Sequence, residues 1–283
     1  MTNQIRSALI LSAAMLSFST SSSLVKLLSN EIPPMEAVFF RGLVGMLLVA
    51  IIAARKKASL TGNRKKLLIA RGLFGTGAMM LFFYALTKIP VANALLLNQT
   101  TPIFVLPLAA VFLKEKITGT HVIFAAIALV GITLVISPGA GMINLASIPA
   151  LISAAFSASA YILVSKLKKT ENTQVIVFWF MCISVLGSLP FVATNFVMPK
   201  HESLIMLIGV GIAGTIGQLL LTKAYSIGEA GRLSVLGSMG AIFGVGWDFW
   251  IWDHTPRLVT IIGGIIVIFA CSALQIKQTS VKK

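Results

Sequence analysis

The apolar residues of this chain come in runs of about 20, each closed by a short polar break. As a helix, such a run crosses a hydrocarbon core of roughly 30 Å. Lipid offers no partner to a backbone N–H or C=O, so each run must satisfy its own backbone, which a helix does. The runs predict ten helices, at 7–28, 34–54, 66–87, 91–113, 118–137, 146–165, 174–194, 203–222, 232–252 and 257–276. The alternating ten-residue segments of a membrane barrel do not occur. Of 283 residues, 57% are hydrophobic and 11% charged, against about 25% charged in soluble domains. So few charges cannot cover a water-facing surface. The expected fold class is an all-α integral membrane protein.

The formal charge of +15 would suggest a nucleic-acid partner in a soluble protein. Here the Lys and Arg residues sit in short loops between apolar runs, so a lipid bilayer is the expected partner and no nucleic acid is. With the N-terminus inside, the inner set holds eighteen basic residues, among them Arg55, Lys56, Lys57, Arg64, Lys65, Lys66 and Arg71. The outer set is Lys88, Lys200 and Arg257, while Lys26 and Arg41 fall within spans. That bias predicts a multi-pass protein of the cytoplasmic (inner) membrane with both termini cytoplasmic. Arg6 followed by an apolar stretch resembles a signal peptide, but the stretch runs too long for one and reads as the first span.

A faint internal repeat lays residues 86–116 on residues 225–254 with one gap, placing Glu115 on Asp253 and Ile89 on Ile227. It divides the chain into a first unit, 1–140, and a second, 141–283. Five spans per half is an odd number, so the halves are expected to lie inverted in the membrane, a device by which two similar bodies rock about a central site. "EIPPMEAVFFRGLVGMLL", a basic loop, and then "ARGLFGTGAMMLFFYALTKIPVANALLLNQTTPIFVLPLAAVFLKEKITGTHVIFAAIALVGITLVISPG" resemble the EamA family of the drug/metabolite transporter superfamily. The second half resembles it more loosely, through "KAYSIGEAGRLSVLGSMG" and "PRLVTIIGGIIVI". The family pattern has a glutamate ending the fourth and ninth spans: Glu115 matches and Asp253 is a shortened version. The resemblance implies ten spans, a central cavity and transport of a small organic metabolite, with S-adenosylmethionine-like, riboflavin-like and amino-acid-like substrates all open.

The candidate site comes from polar groups inside the spans. "SFSTSSSLVK" at 17–26 carries six hydroxyls and a lysine within an apolar run. Ser12, Ser19 and Lys26, seven apart, share one helix face, turned either to neighbouring helices or to a wet cavity. Glu36 and Lys26 have similar depths, and a pair between them is the economical arrangement. Arg41 lies roughly 10 Å further in at 1.5 Å per residue, as a structural anchor or as the binder of an anionic group. Asn98, Gln99, Thr100 and Thr101 precede Pro102, which cannot donate to the Asn98 carbonyl; a freed carbonyl beside amides suits a ligand, or a kink with its own bonds. Ser153, Ser157 and Tyr161 share a face of the sixth span. Gln218 follows Gly211, Gly214 and Gly217 in the eighth, glycines that let a neighbour approach closely. Asp248 is an intramembrane carboxylate able to pair with Arg41 or Lys26, to take a proton, or to be hydrated near the interface; Arg41 and Asp248 are expected on facing walls of one outward cavity. The expected substrate-binding residues are thus Ser19, Arg41, Asn98, Gln99, Ser157, Tyr161, Gln218 and Asp248, with Glu36 and Asp248 coupling ions.

Other chemistries lack their residues. Residues 209–214 fit G-x-G-x-x-G, but inside an apolar span with no strand before them. The zinc-protease and P-loop motifs do not occur. His121, His201 and His254 sit at span ends, and Cys182 and Cys271 have no metal-ligand spacing, so no metal and no cofactor are expected. An enzyme would need a nucleophile with its base or two close carboxylates. The expected activity is secondary active transport by alternating access, with a passive channel or a lipid-handling protein as the alternative. The fifth and tenth spans, nearly free of polar groups, are expected to face lipid or to join a homodimer.

Overall fold

The computed structural model describes residues 3–113, 119–136, 145–167, 170–227 and 239–281. Among them there is no strand. The helices are α1 (Asn3–Leu27), α2 (Pro34–Arg55), α3 (Lys65–Leu86), α4 (Val91–Asn98), α5 (Thr101–Leu113), α6 (Gly119–Ile136), α7 (Ile148–Leu167), α8 (Thr173–Asn195), α9 (His201–Ile227), α10 (Met239–Trp252) and α11 (Leu258–Val281). Six of the described segments are long and apolar enough to cross a membrane, with mean hydropathy from 1.5 to 2.4. Val122–Val135 and Leu258–Ala270 are shorter apolar helices. Large apolar side chains such as Trp250 (78% exposed), Leu258 and Val111 stand on the outer surface. Contiguous apolar surface of that kind belongs against lipid. The protein is a helical, multi-pass membrane protein.

The predicted fourth helix is divided. α4 ends at Asn98 and α5 begins at Thr101, because Pro102 has no N–H with which to carry the ladder through. The predicted start of the ninth helix, residues 232–238, and the boundary at 140 lie outside the described residues, as does Glu115; Asp253, its expected counterpart, is exposed just past α10.

One apolar core runs through the bundle, with Phe83, Leu86, Leu97, Met181 and Leu207 fully enclosed. Around it α1 packs on α9 and α10, α2 on α8 and α9, α3 on α7 and α8, α4 on α10, α5 on α7, and α6 on α11. Exchanging α1 with α7, α2 with α8, α3 with α9, α4/α5 with α10 and α6 with α11 returns the same set of pairs. The α6–α11 crossing is made by two glycines. A Cβ on Gly131 would stand 2.8 Å from the Gly263 carbonyl oxygen, and one on Gly263 would stand 2.8 Å from that of Gly131. These helices therefore pack backbone to backbone within one chain, while Val122, Val130, Ile262 and Phe269 point outward.

The two ends of the bundle are tied by carboxylates. At the end carrying the lysine- and arginine-rich α2–α3 loop, here the basic end, Glu171 accepts the backbone N–H groups of Asn63 and Arg64 at 2.7 and 2.6 Å. Trp179 donates to the Leu60 carbonyl beside them. At the opposite end Glu31 accepts the Ser203 hydroxyl at 2.6 Å and lies 3.6 Å from Lys200 Nζ. Glu36 there accepts the Val197 N–H at 3.1 Å.

Candidate substrate site in the bundle interior

Most of the hydroxyls of α1 are satisfied within the protein. Ser12, Thr20, Ser22 and Ser23 donate to the carbonyl four residues earlier, the local bond that lets serine and threonine sit in a membrane helix. Ser21 donates across to the Val210 carbonyl of α9 at 3.0 Å. Ser19 differs: it is fully buried and its Oγ has no partner.

Lys26 does not meet Glu36. Its Nζ donates to the Ile89 carbonyl at 2.6 Å and lies 5.4 Å from the centre of the Trp252 ring. That carbonyl belongs to the turn entering α4, and the same turn is gripped by Asp248. Asp248 is 2% exposed; its two oxygens accept the N–H groups of Val91 and Ala92 at 3.1 and 2.8 Å. The first N–H groups of a helix have no partner within it, and the positive end of the helix dipole favours an anion there. Gly244, one turn earlier on α10, permits the approach: a Cβ on it would stand 3.0 Å from the Ala92 Cα. Asp248 is therefore the cap of the short helix α4, with Lys26 as its counter-charge. The expected Arg41–Asp248 pair is not formed, because both Asp248 oxygens are engaged at α4.

Arg41 instead points between α3 and α9. Its guanidinium carbon lies 5.5 Å from the centre of the Phe83 ring, and its Nε is buried without a partner. It fits because Gly214 has no side chain; a Cβ there would come within 2.6 Å of Nε. The neighbouring glycines receive Val44 at Gly211 and Phe18 at Gly217. Gln218 lies on the same buried face of α9 as Leu207, Gly211 and Gly214 and is half-buried. Thr215, buried beside Gly45 of α2, also has an unpartnered hydroxyl. α2 and α9 thus face each other across a cation and unpaired polar atoms.

At the break between α4 and α5 the Asn98 carbonyl is not left free. The Thr101 hydroxyl donates to it at 2.6 Å, and the Thr100 hydroxyl donates to Leu97 in the same way. Asn98 donates through Nδ2 to Ser153 Oγ at 3.3 Å, and Ser153 donates to the Ala78 carbonyl at 2.8 Å. Asn98 and Ser153 therefore knit α4, α7 and α3 together. Gln99 sits in the break itself, half-buried. Ser157 and Tyr161 continue the Ser153 stripe toward the basic end. Tyr161 is 51% exposed although it shares the α7 face of Ala150, Ala154 and Ala158, all fully buried, and lies opposite the exposed Ile148 and Ile152. That exposure sets it apart from the alanines of its face. Glu36 is 1% exposed; beyond the Val197 contact its Oε1 has no partner.

Sequence reasoning places Arg71 among the loop cations, but it is inside α3 and 5% exposed. The signal is the apolar "LLIA" before it, which puts it about 9 Å along the helix. Its Nε and Nη1 have no partner, and its guanidinium carbon lies 4.1 Å from the centre of the Phe180 ring. Removing Arg71 from the loop set leaves the charge bias between the loops in place.

A multi-pass helical bundle with charged and amide groups turned to its interior is the arrangement of a solute carrier. The chain belongs to the EamA-like transporter family, whose model matches residues 5–137 and 144–274. It is 30% identical over 264 residues to the pseudopaline exporter CntI of Pseudomonas aeruginosa (strain UCBPP-PA14), covering 93% of each chain. It is 24% identical to the S-adenosylmethionine uptake transporter of Rickettsia conorii, covering 90% of this chain and 87% of that one. A solved crystal structure shares the fold at a TM-score of 0.66, with 19% identity and 99% of both chains covered. Family and relatives are transporters rather than enzymes, which makes this protein a carrier of small molecules across a membrane.

Two predictions follow from the carboxylates. Asp248→Ala leaves two α4 N–H groups unpaired and Lys26 without its counter-charge. At about 1.5–3 kcal/mol per charge-assisted bond, the loss of stability is about 3 kcal/mol. Asp248→Asn keeps one acceptor and loses less. Unfolding of the purified protein in detergent measures both, and equal stability of all three proteins would remove the cap from the account. Glu31 is held below the ordinary carboxylate range by the Ser203 hydroxyl and then by Lys200. Its contribution is complete above the unfolded value of about 4.3 and is lost as pH falls through the lower folded value. Between about pH 5 and about pH 3 the wild type therefore loses more stability than Glu31→Gln; parallel curves would show that this contact contributes nothing.

Proposed function

We propose that the protein is a secondary active transporter of a small organic metabolite bearing a carboxylate, working by alternating access between two inverted five-helix repeats, 1–140 and 141–283. The observation that carries this reading is the exchange of helix pairs: the contacts between the halves map onto themselves when each helix is replaced by its counterpart. An unpartnered Arg41 stands where the halves meet. Two bodies related in that way can pack equally well tilted in either sense, which is what alternating access needs. The terminal ties follow the same exchange. Glu31, after α1, holds the segment that joins α8 to α9; Glu171, after α7, holds the segment that joins α2 to α3. Opening at either end requires one of these ties to release. In this reading the basic end faces the cytoplasm, with ten spans and both termini inside, an orientation that the loop charges support.

Arg41 supplies a planar donor for a carboxylate, with Phe83 beneath it. Gln218, Gln99 and Ser19 provide hydrogen bonds nearby; Ser157 and Tyr161 line the path toward the cytoplasm, and Asn98 holds the break in place. S-adenosylmethionine, named as the cargo of the Rickettsia relative, carries such a carboxylate. Glu36, with one free oxygen, and Asp248, which holds α4 while ionised, are the groups whose protonation would couple ion movement to opening.

Proteoliposomes holding the purified protein test the reading with labelled S-adenosylmethionine and a panel of amino acids, with and without a proton gradient. Saturable uptake that is stimulated by unlabelled substrate on the far side is expected; flux that neither saturates nor responds would indicate a passive channel. Arg41→Gln should reduce carboxylate uptake at least tenfold, the scale of one lost charge-assisted bond, without loss of folded protein. For orientation, an impermeant thiol reagent applied to intact cells should label a cysteine placed at Asn144 and spare one at Asn63; the opposite pattern would invert the assignment.

A further inference from the structure

We propose that Arg71, with Tyr161 and Phe180, forms a second anion-binding station at the basic end of the interior, distinct from Arg41, which takes the carboxylate of the transported molecule on the cytoplasmic side of its path. The proposal rests on the transporter reading for its biological use, but its chemistry stands on this cluster alone.

The first argument is an imbalance of charge. Three cations in the described helices of the first half are buried or half-buried, Lys26, Arg41 and Arg71, while Arg6, Arg55, Lys65 and Lys66 are exposed. The two deep acids are engaged elsewhere, Asp248 by the start of α4 and Lys26, Glu36 by the Val197 N–H. The acid nearest to Arg71 along the elements that surround it is Glu171, in the connection between α7 and α8, and its carboxylate is held by Asn63 and Arg64. Among the described residues Arg71 has no carboxylate partner. An intramembrane cation normally pairs or faces a water-filled cavity, and removing a guanidinium from water without compensation is costly.

The second argument is geometric. The Phe180 ring covers one face of the Arg71 guanidinium at 4.1 Å, and Gly75 closes against Nη1, where a Cβ would stand 2.8 Å away. These contacts fix the plane of the group but accept no hydrogen bond from Nε or Nη1. α7 runs antiparallel to α3 and Ser153 donates to the Ala78 carbonyl, so two turns further on Tyr161 comes level with Arg71. It is the half-open side chain on the inward face of α7, so it marks the space into which an anion would come. An arginine held flat by an aromatic ring beside a phenol is arranged to receive a planar anion by two parallel bonds.

The third argument is spacing. Arg41 is fourteen residues from the basic end of α2, and Arg71 is six from the basic end of α3. At 1.5 Å per residue their depths differ by roughly 12 Å, too far for one carboxylate to bridge. The two arginines therefore act as successive stations and not as a clamp.

The test uses the full-length protein in proteoliposomes with Cys182→Ala and Cys271→Ala and a single reporter, Tyr161→Cys. Two thiol reagents of similar size are compared from the basic side: anionic sulfonatoethyl methanethiosulfonate and its cationic trimethylammonium counterpart, each normalised to its rate with a free thiol. A positive focus beside the reporter should make the anionic reagent faster by roughly tenfold. Arg71→Gln should abolish that preference, Arg71→Lys should keep most of it, and Arg41→Gln should leave it in place. Equal normalised rates, absence of reaction with either reagent, or a preference that survives Arg71→Gln would each overturn the station. Absence of carboxylate flux with the preference intact would instead refute transport and leave the anion site standing. Flux with no preference would remove only the station.

Discussion

Everything in this structure follows from the lack of hydrogen-bond partners in the hydrocarbon. A polar group placed there must find its partner in the protein or be matched by water or a solute. The α1 serines illustrate the first outcome. Bonded to their own helix or to α9, they cost little, and their small size lets α1 pack against its neighbours. Ser19, Thr215, Arg41 and Arg71 illustrate the second. Their unpaired atoms are concentrated on inward faces, between helices that belong to different halves of the chain. The unsatisfied groups thus gather in the interior and not on the lipid-facing surface.

Asp248 shows how one satisfied contact can carry mechanical weight. α4 has only eight residues, too short to be stable by its own ladder. It is held at its start by the Asp248 carboxylate and at its end by Asn98, which reaches Ser153 on α7. α10 lies in the 141–283 part of the chain, so the start of α4 is fixed to a helix distant in sequence, while the break at Gln99 and Thr100 separates it from α5. Lys26 on the Ile89 carbonyl adds the end of α1 to the same joint.

Hydropathy reads the helices well because lipid imposes one simple rule on every span, and the break in the fourth is visible in Pro102. The pairing of polar groups is less visible. Asp248 is recognisable as a buried acid, but its partners are backbone N–H groups, which every residue has and no side-chain pattern records. Lys26 likewise finds a carbonyl and an aromatic face instead of Glu36. Arg71 is hidden by its neighbours: five residues after the run Arg64, Lys65 and Lys66, it reads as part of the loop until the start of α3 is fixed. Arg41 escapes this because apolar residues surround it on both sides.

The scaffold is symmetric in its contacts but not in its charges. Glutamate stands in the corresponding loop of both halves, Glu31 and Glu171, and each ties one end of the bundle. The intramembrane cations are not kept. α1, α2 and α3 carry Lys26, Arg41 and Arg71, whereas their counterparts α7, α8 and α9 carry only Lys166 and Lys223, both near the basic end. A pair of repeats with equal charges would present the same surface to a solute from either side. Confining the deep arginines to the first half leaves the second to meet them with uncharged groups, Phe180 beside Arg71 and Gly214 beside Arg41. The symmetric part of the sequence thus sets how the halves pack, and the asymmetric part sets where the buried charges lie.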